Sequence, residues 1–138
     1  MNSKKFWISG LIVAVIYFFA GWFFYGILMA SVFMPVGVPG MRPEPLVAFI
    51  ALSCLAYGLL MAFTYPYGYQ GRNTYLEGLR FGVLFALIIN LPVSLSMYAF
   101  LEMYTMQALA IGTAWEVVTG AAMGILTAKI YGSSVKAA

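Results

Sequence analysis

Three polar side chains stand deep in apolar surroundings in this sequence: Glu116 within "TAWEVVTGAAMG", and Asn90 and Ser94 within "LIINLPVSLS". A carboxylate, an amide and a hydroxyl in such company can hydrogen-bond across a helix interface, bind an ion or carry a proton. Ionisable groups placed this way are costly and by default functional. Glu116 lies about 22 Å by helical rise from Tyr131 at the end of its apolar stretch, too deep to reach the aqueous edge. Asn90 lies about 21 Å from the start of the preceding stretch, so the two depths match. Pro92 removes the amide that would have bonded the Ile88 carbonyl, which predicts a kink or hinge and a free acceptor. The expectation is one cluster of Glu116, Asn90 and Ser94, with a neutral Glu116 donating to Asn90 or to that carbonyl. Gly112, Glu116, Gly120 and Gly124 recur every four residues. The glycines predict close approach of another helix and place Glu116 against protein.

A second group opens the preceding apolar stretch. Thr74-x-x-Glu77 has the form of a capping box, Thr74 bonding a first-turn amide and Glu77 reaching back to the cap. Arg80 follows one turn later. Its reach suits a snorkelling residue at the membrane interface, and Glu77 at i, i+3 is within pairing distance on the same helix face.

What is missing narrows the chemistry. The chain has no His and no Asp, and its four acids are Glu44, Glu77, Glu102 and Glu116. Catalytic triads, His-ligated haem and the usual zinc sites lose their ligands. No nucleophile, base and oxyanion set can be assembled from the rest. Cys54 is alone in an apolar run and reads as packing. No metal and no cofactor is expected, and the chain is read as not an enzyme. Seven basic residues among 138 are too sparse for a nucleic-acid footprint.

The elements that must position these residues are membrane spans. The chain is 64% hydrophobic and 8% charged, whereas a soluble domain is about a quarter charged. A spanning helix takes about 20 apolar residues, and four stretches qualify: 6–34, 46–65, 76–100 and 106–131. The connection "PVGVPGMRPEP" and the connection "PYGYQGRNT" carry the prolines and glycines that break helices, and "LEMYT" is a short turn. The fold class expected is all-α: a polytopic, antiparallel four-transmembrane-helix bundle forming a single membrane domain over 1–138. With the N-terminus inside, one side collects Lys4, Lys5, Arg72, Arg80, Lys129 and Lys136, and the other keeps Arg42. That asymmetry places both termini in the cytoplasm. The first span is far longer than a signal-peptide core of about 7–15 residues and reads as a retained helix. Tyr65, Tyr67, Tyr69 and Tyr75 are expected in an inner aromatic belt, Tyr98 and Tyr104 in an outer one. Trp22 and Tyr25 lie deeper and are expected to pack or hydrogen-bond.

The run "GYQGRNTYLEGLRFG", a proline-containing helix and a last helix with one central Glu resemble a group of small four-helix bacterial inner-membrane proteins of unknown function. The resemblance covers 68–132. It implies the four-helix architecture and marks Gly71, Glu77, Arg80 and Glu116 as motif positions, without implying a reaction. The function expected is that of a non-enzymatic accessory, assembly or oligomeric protein of the bacterial inner membrane. Its partners would be the lipid bilayer and a homo-oligomer or larger membrane complex. A small transporter or proton- or ion-conducting bundle using Glu116 is the alternative, and a lipid or quinone binder a further one.

Overall fold

The computed structural model describes residues 3–33, 42, 44–70 and 73–132. Gly71, Arg72 and Lys136 lie outside them. The described residues form α1 (Ser3–Gly21), a π-helical segment (Trp22–Leu28), the short α2 (Ala30–Phe33), α3 (Val47–Gly68), α4 (Thr74–Phe100) and α5 (Met106–Tyr131). Among the described residues, four stretches, the first running from Ser3 to Leu28, are long and apolar enough to cross a membrane. Helices suit that setting because each bonds its own backbone polar groups, which hydrocarbon cannot.

The first span differs from the expected continuous helix over 6–34. It begins three residues earlier, widens to π geometry at Trp22 and breaks at Met29, whose amide bonds the Phe24 carbonyl five residues back at 2.8 Å. The second span runs past 65 and continues through Pro66 to Gly68. Pro66 lacks an amide, so the Ala62 carbonyl four residues back loses its helical donor. The Tyr131 hydroxyl supplies the replacement at 2.6 Å. The helix passes its proline because another helix fills the gap.

The cap of α4 is also shifted. Asn73, not Thr74, is the N-cap, its side-chain oxygen accepting from the amides of Tyr75 and Leu76 at 2.9 and 3.4 Å. Thr74 is therefore the first helical residue. Glu77 sits one position too late for the capping box, and its amide bonds the Asn73 carbonyl at 2.9 Å as an ordinary helical turn. Asn outranks Thr at this position because its short carbonyl side chain reaches the first-turn amides more readily. Thr105 caps α5 by accepting from the Ala108 amide at 3.1 Å, and Gly132, with φ of +53°, ends it.

Packing is organised as two helix pairs, α1 on α3 and α4 on α5, with α1 and α5 joining them. Each pair closes on glycine. A Cβ on Gly58 would run into the Gly10 carbonyl and approach the Ala14 amide to 2.8 Å. A Cβ on Gly82 would strike the Gly120 carbonyl, and one on Gly124 the Gly78 carbonyl. The expected glycine stripe is thus used within the chain by Gly120 and Gly124. Gly112 faces the Phe33 ring and the Tyr104 hydroxyl, side chains instead of backbone. Between α3 and α4 the contact is aromatic, Tyr57 against Phe85 and Tyr65 against Phe81, both at 5.2 Å between ring centres.

The shared end of these helices is tied together. The Lys5 ammonium donates to the Tyr131 carbonyl at 2.8 Å, and the Lys129 ammonium lies over the Tyr75 ring at 4.9 Å. Tyr65, expected in the interfacial belt, is instead fully buried against Tyr131 and Phe81. Its ring is needed where α3, α4 and α5 converge, and burial of so large an apolar face outweighs its place in a belt.

Candidate functional site: a carboxylate held by two phenols

Glu116 is 7% exposed, on the face of α5 that carries Gly112, Thr119, Gly120 and Met123 into the interior. The tight approach of α4, made by Gly82 against Gly120, brings Asn90 into reach. Asn90 donates one amide hydrogen bond to the Ala86 carbonyl at 3.2 Å and another to Glu116 Oε2 at 3.4 Å. The stronger partners come from the first span. The Tyr17 hydroxyl donates to Oε2 at 2.6 Å, and the Tyr25 hydroxyl donates to Oε1 at 2.8 Å.

The set of partners is a correction: Glu116 was expected to meet Asn90 or the Ile88 carbonyl, and two phenols from the first span join Asn90 on its carboxyl group instead. Ser94 is the second correction. It is half-buried and makes no hydrogen bond to Glu116 among the described residues. It lies a turn beyond Asn90, about 6 Å further along the axis, which takes it past the level of the carboxylate. Pro92 lies inside α4, which runs unbroken through it, and Ser96 donates to the Pro92 carbonyl at 2.9 Å.

No family model, curated protein or solved structure matches the chain. The site must be understood from its own geometry.

Tyr17 and Tyr25 are eight residues apart. On an ideal α-helix that is about 2.2 turns, leaving the two side chains roughly 80° apart. The π-helical turn advances through fewer degrees per residue, and it rotates Tyr25 back toward the face that carries Tyr17. One helix can then grip both oxygens of the same carboxylate. Aromatic packing holds each phenol in place. Tyr17 stacks on Tyr57, with ring centres 4.2 Å apart and planes 5° from parallel. Tyr25 meets the Phe33 ring edge-on at 4.8 Å, and the adjacent Phe24 stacks on Trp115, next to Glu116, at 4.1 Å.

Sequence reasoning missed Tyr17 altogether and treated Tyr25 only as a residue that packs or hydrogen-bonds. Depth was the available signal. Tyr17 lies about 18 Å by rise from Lys5, and Glu116 about 22 Å from Tyr131, while Lys5 and Tyr131 touch. A phenol at that level needs a hydroxyl partner, and Glu116 is the acidic residue there.

The other expected positions stay apart from this cluster. Arg80 is exposed and Glu77 half-buried near the start of α4. Among the described residues no group of His, Cys, Asp and Glu is arranged to hold a metal ion. One open groove lies on α4 beyond Pro92, lined by Val93, Met97, Phe100 and Leu101 and reaching no part of the Glu116 cluster.

Proposed function

We propose that this chain is a non-enzymatic, multi-pass protein of a bacterial inner membrane that serves as an accessory or assembly subunit within an oligomer or larger membrane complex. Its helices alternate in direction, with both termini cytoplasmic. Contacts that rise in number along α4 while falling along α5, Gly78 with Gly124, then Gly82 with Gly120, then Asn90 with Glu116, support that direction. The excess of Lys and Arg at the end shared by Lys5, Tyr75 and Lys129 supports the orientation.

The observation that carries the reading is α4. Its buried residues are Gly78, Gly82 and Ala86, all of them used against α5. Apart from the rings of Phe81 and Phe85 that meet α3, much of its apolar surface, including Leu84, Val93, Leu95 and Ile88 at 72%, is exposed. The polar cluster is bound up with donors from this chain's own helices, and the groove on α4 does not reach it, which favours helix joining over turnover of a substrate. A photo-crosslinking residue at Ile88, activated in native membranes, tests the proposal. Adducts at the mass of a second protein chain are the expected result. Adducts with lipid alone, together with a monomer in mild detergent, would overturn it.

A further inference from the structure

The Glu116 carboxylate has three donors and none of them is a cation. Among the described residues, no Lys or Arg contacts it. A charge in apolar surroundings is normally paired or neutralised, and here only neutral dipoles face it. The elements around it contribute Tyr17 from α1, Tyr25 from the π-helical segment, Tyr57 and Cys54 from α3, and Asn90 from α4. Tyr104, from the turn before α5, brings its hydroxyl to the Gly112 face, one turn from Glu116. Each titratable member of that set is itself neutral in its protonated form. The Tyr57 hydroxyl, on a side chain 7% exposed, and the Thr113 hydroxyl, one turn from Glu116, are both buried without a partner. The countercharge that the site lacks is a single positive one.

We propose that Glu116 is a reversible proton-binding site within the helix bundle, and that its occupancy sets whether Trp22–Leu28 holds its π-helical register. This goes beyond the accessory role and does not depend on it.

The two oxygens are not equivalent. Oε2 takes both Tyr17 and Asn90, whereas Oε1 takes Tyr25 alone, so Oε1 is the open seat for a proton. A proton arriving there converts the carboxylate to the acid. The Tyr25 bond changes from charge-assisted to neutral, a bond roughly half as strong. Among the described residues, Tyr25 sits in the span that leaves α geometry, and π-helical turns are rare beside α-helical ones. With its hold on Oε1 weakened, the segment is free to wind back toward α geometry, which turns Tyr25 away from the Tyr17 face. The break at Met29 and the contact of Tyr25 with Phe33 carry that rotation into α2. When the proton leaves, the anion draws both phenols back. One proton enters and one leaves, and no other bond is made or broken.

The test uses the full chain reconstituted alone in lipid nanodiscs, so a missing partner affects only the accessory reading. Infrared difference spectra are recorded between about pH 9 and about pH 4, across the ordinary carboxylate range. They are expected to show a carboxylic-acid carbonyl band that is absent in Glu116→Gln while the bands of Glu44, Glu77 and Glu102 persist. Amide hydrogen exchange at residues 25–33, corrected for intrinsic rates, is expected to rise about tenfold in acid, local opening that global unfolding would not confine to one segment. Tyr25→Phe is expected to exchange fast at every pH yet keep the Glu116 band. Identical wild-type and Glu116→Gln spectra would overturn the proton site. A band in the wild type with pH-independent exchange at 25–33 would overturn the link to the π-helical segment, even if both variants failed to fold.

Discussion

Tyr17 and Tyr25 hold opposite oxygens of the same carboxylate, at 2.6 and 2.8 Å, although the α-helical repeat would point them apart. A local departure from α geometry therefore lets the first span reach the last through both phenols at once. The tie spans 99 residues of sequence for Tyr17 and 91 for Tyr25. It connects the α1·α3 pair with the α4·α5 pair, which otherwise meet mainly along α1 and α5.

Replacing Glu116 separates acceptor from charge. Glu116→Leu leaves two phenol hydroxyls and the Asn90 amide facing hydrocarbon and is expected to destabilise by about 2–4 kcal/mol, at about 1–3 kcal/mol for an orphaned buried group with partial relaxation. Glu116→Gln keeps a carbonyl oxygen for one phenol and is expected to lose about 1 kcal/mol. Steric-trap unfolding in bicelles measures both. Equal stabilities for the two variants would mean that the donors do not depend on Glu116.

A double-mutant cycle assigns the phenol bonds. Tyr25→Phe combined with Glu116→Gln is expected to show a coupling of about 0.6–1.7 kcal/mol, the range found for hydrogen bonds between membrane helices. Tyr17→Phe is expected to couple at least as strongly, because its bond is shorter and its ring is fixed by the Tyr57 stack. Additive single-variant effects would remove the carboxylate from the tie between the helices.

The glycines give opposite outcomes by position. Gly82→Ala places a methyl group against the Gly120 carbonyl, and backbone cannot yield as a side-chain tip does. A loss of about 1–3 kcal/mol is expected, with α4 displaced from α5 and Asn90 drawn away from Glu116. Gly21→Ala meets nothing within 4 Å and is expected to be neutral or to stabilise by up to about 1 kcal/mol through helix propensity. The same unfolding measurement, run on both, distinguishes close packing from a general intolerance of substitution.

Hydropathy and breaker residues made the four apolar helices legible, because lipid imposes length and apolarity on every span independently of its neighbours. Glu116 and Asn90 stood out for the same reason: a polar residue amid twenty apolar ones needs an explanation within its own segment. What joins the segments was hidden. Tyr17 reads as one aromatic among many, and only the rotation from the π-helical turn aligns it with Tyr25. Gly78 and Gly82 lie in the "LEGLRFG" run whose charges attract attention first. Ser94 shows the limit of reasoning on one helix face: it shares a side with Asn90 but not the level of the carboxylate.

At the start of α4 the cap is tested by two neighbouring substitutions. Asn73→Ala removes the oxygen that receives the Tyr75 and Leu76 amides and is expected to destabilise by about 1 kcal/mol, the usual worth of a good N-cap. Thr74→Ala, at the first helical position, is expected to change stability by less than about half of that. Faster hydrogen exchange confined to the first turn of α4 would accompany Asn73→Ala. The reverse order of effects would restore Thr74 as the cap.

Pro66 and Tyr131 are expected to behave as a compensating pair. The proline leaves the Ala62 carbonyl without its helical donor, and the Tyr131 hydroxyl fills the place at 2.6 Å. Tyr131→Phe alone orphans that carbonyl in a site where the tyrosine is 1% exposed, a loss of about 1–3 kcal/mol. In a Pro66→Ala background the residue-66 amide returns to the Ala62 carbonyl, and the helix gains the preference of Ala over Pro. The same Tyr131→Phe change then removes only a second, surplus donor and is expected to lose less than about 1 kcal/mol. Equal losses in the two backgrounds would show that the hydroxyl serves some purpose other than replacing the bond that the proline removed.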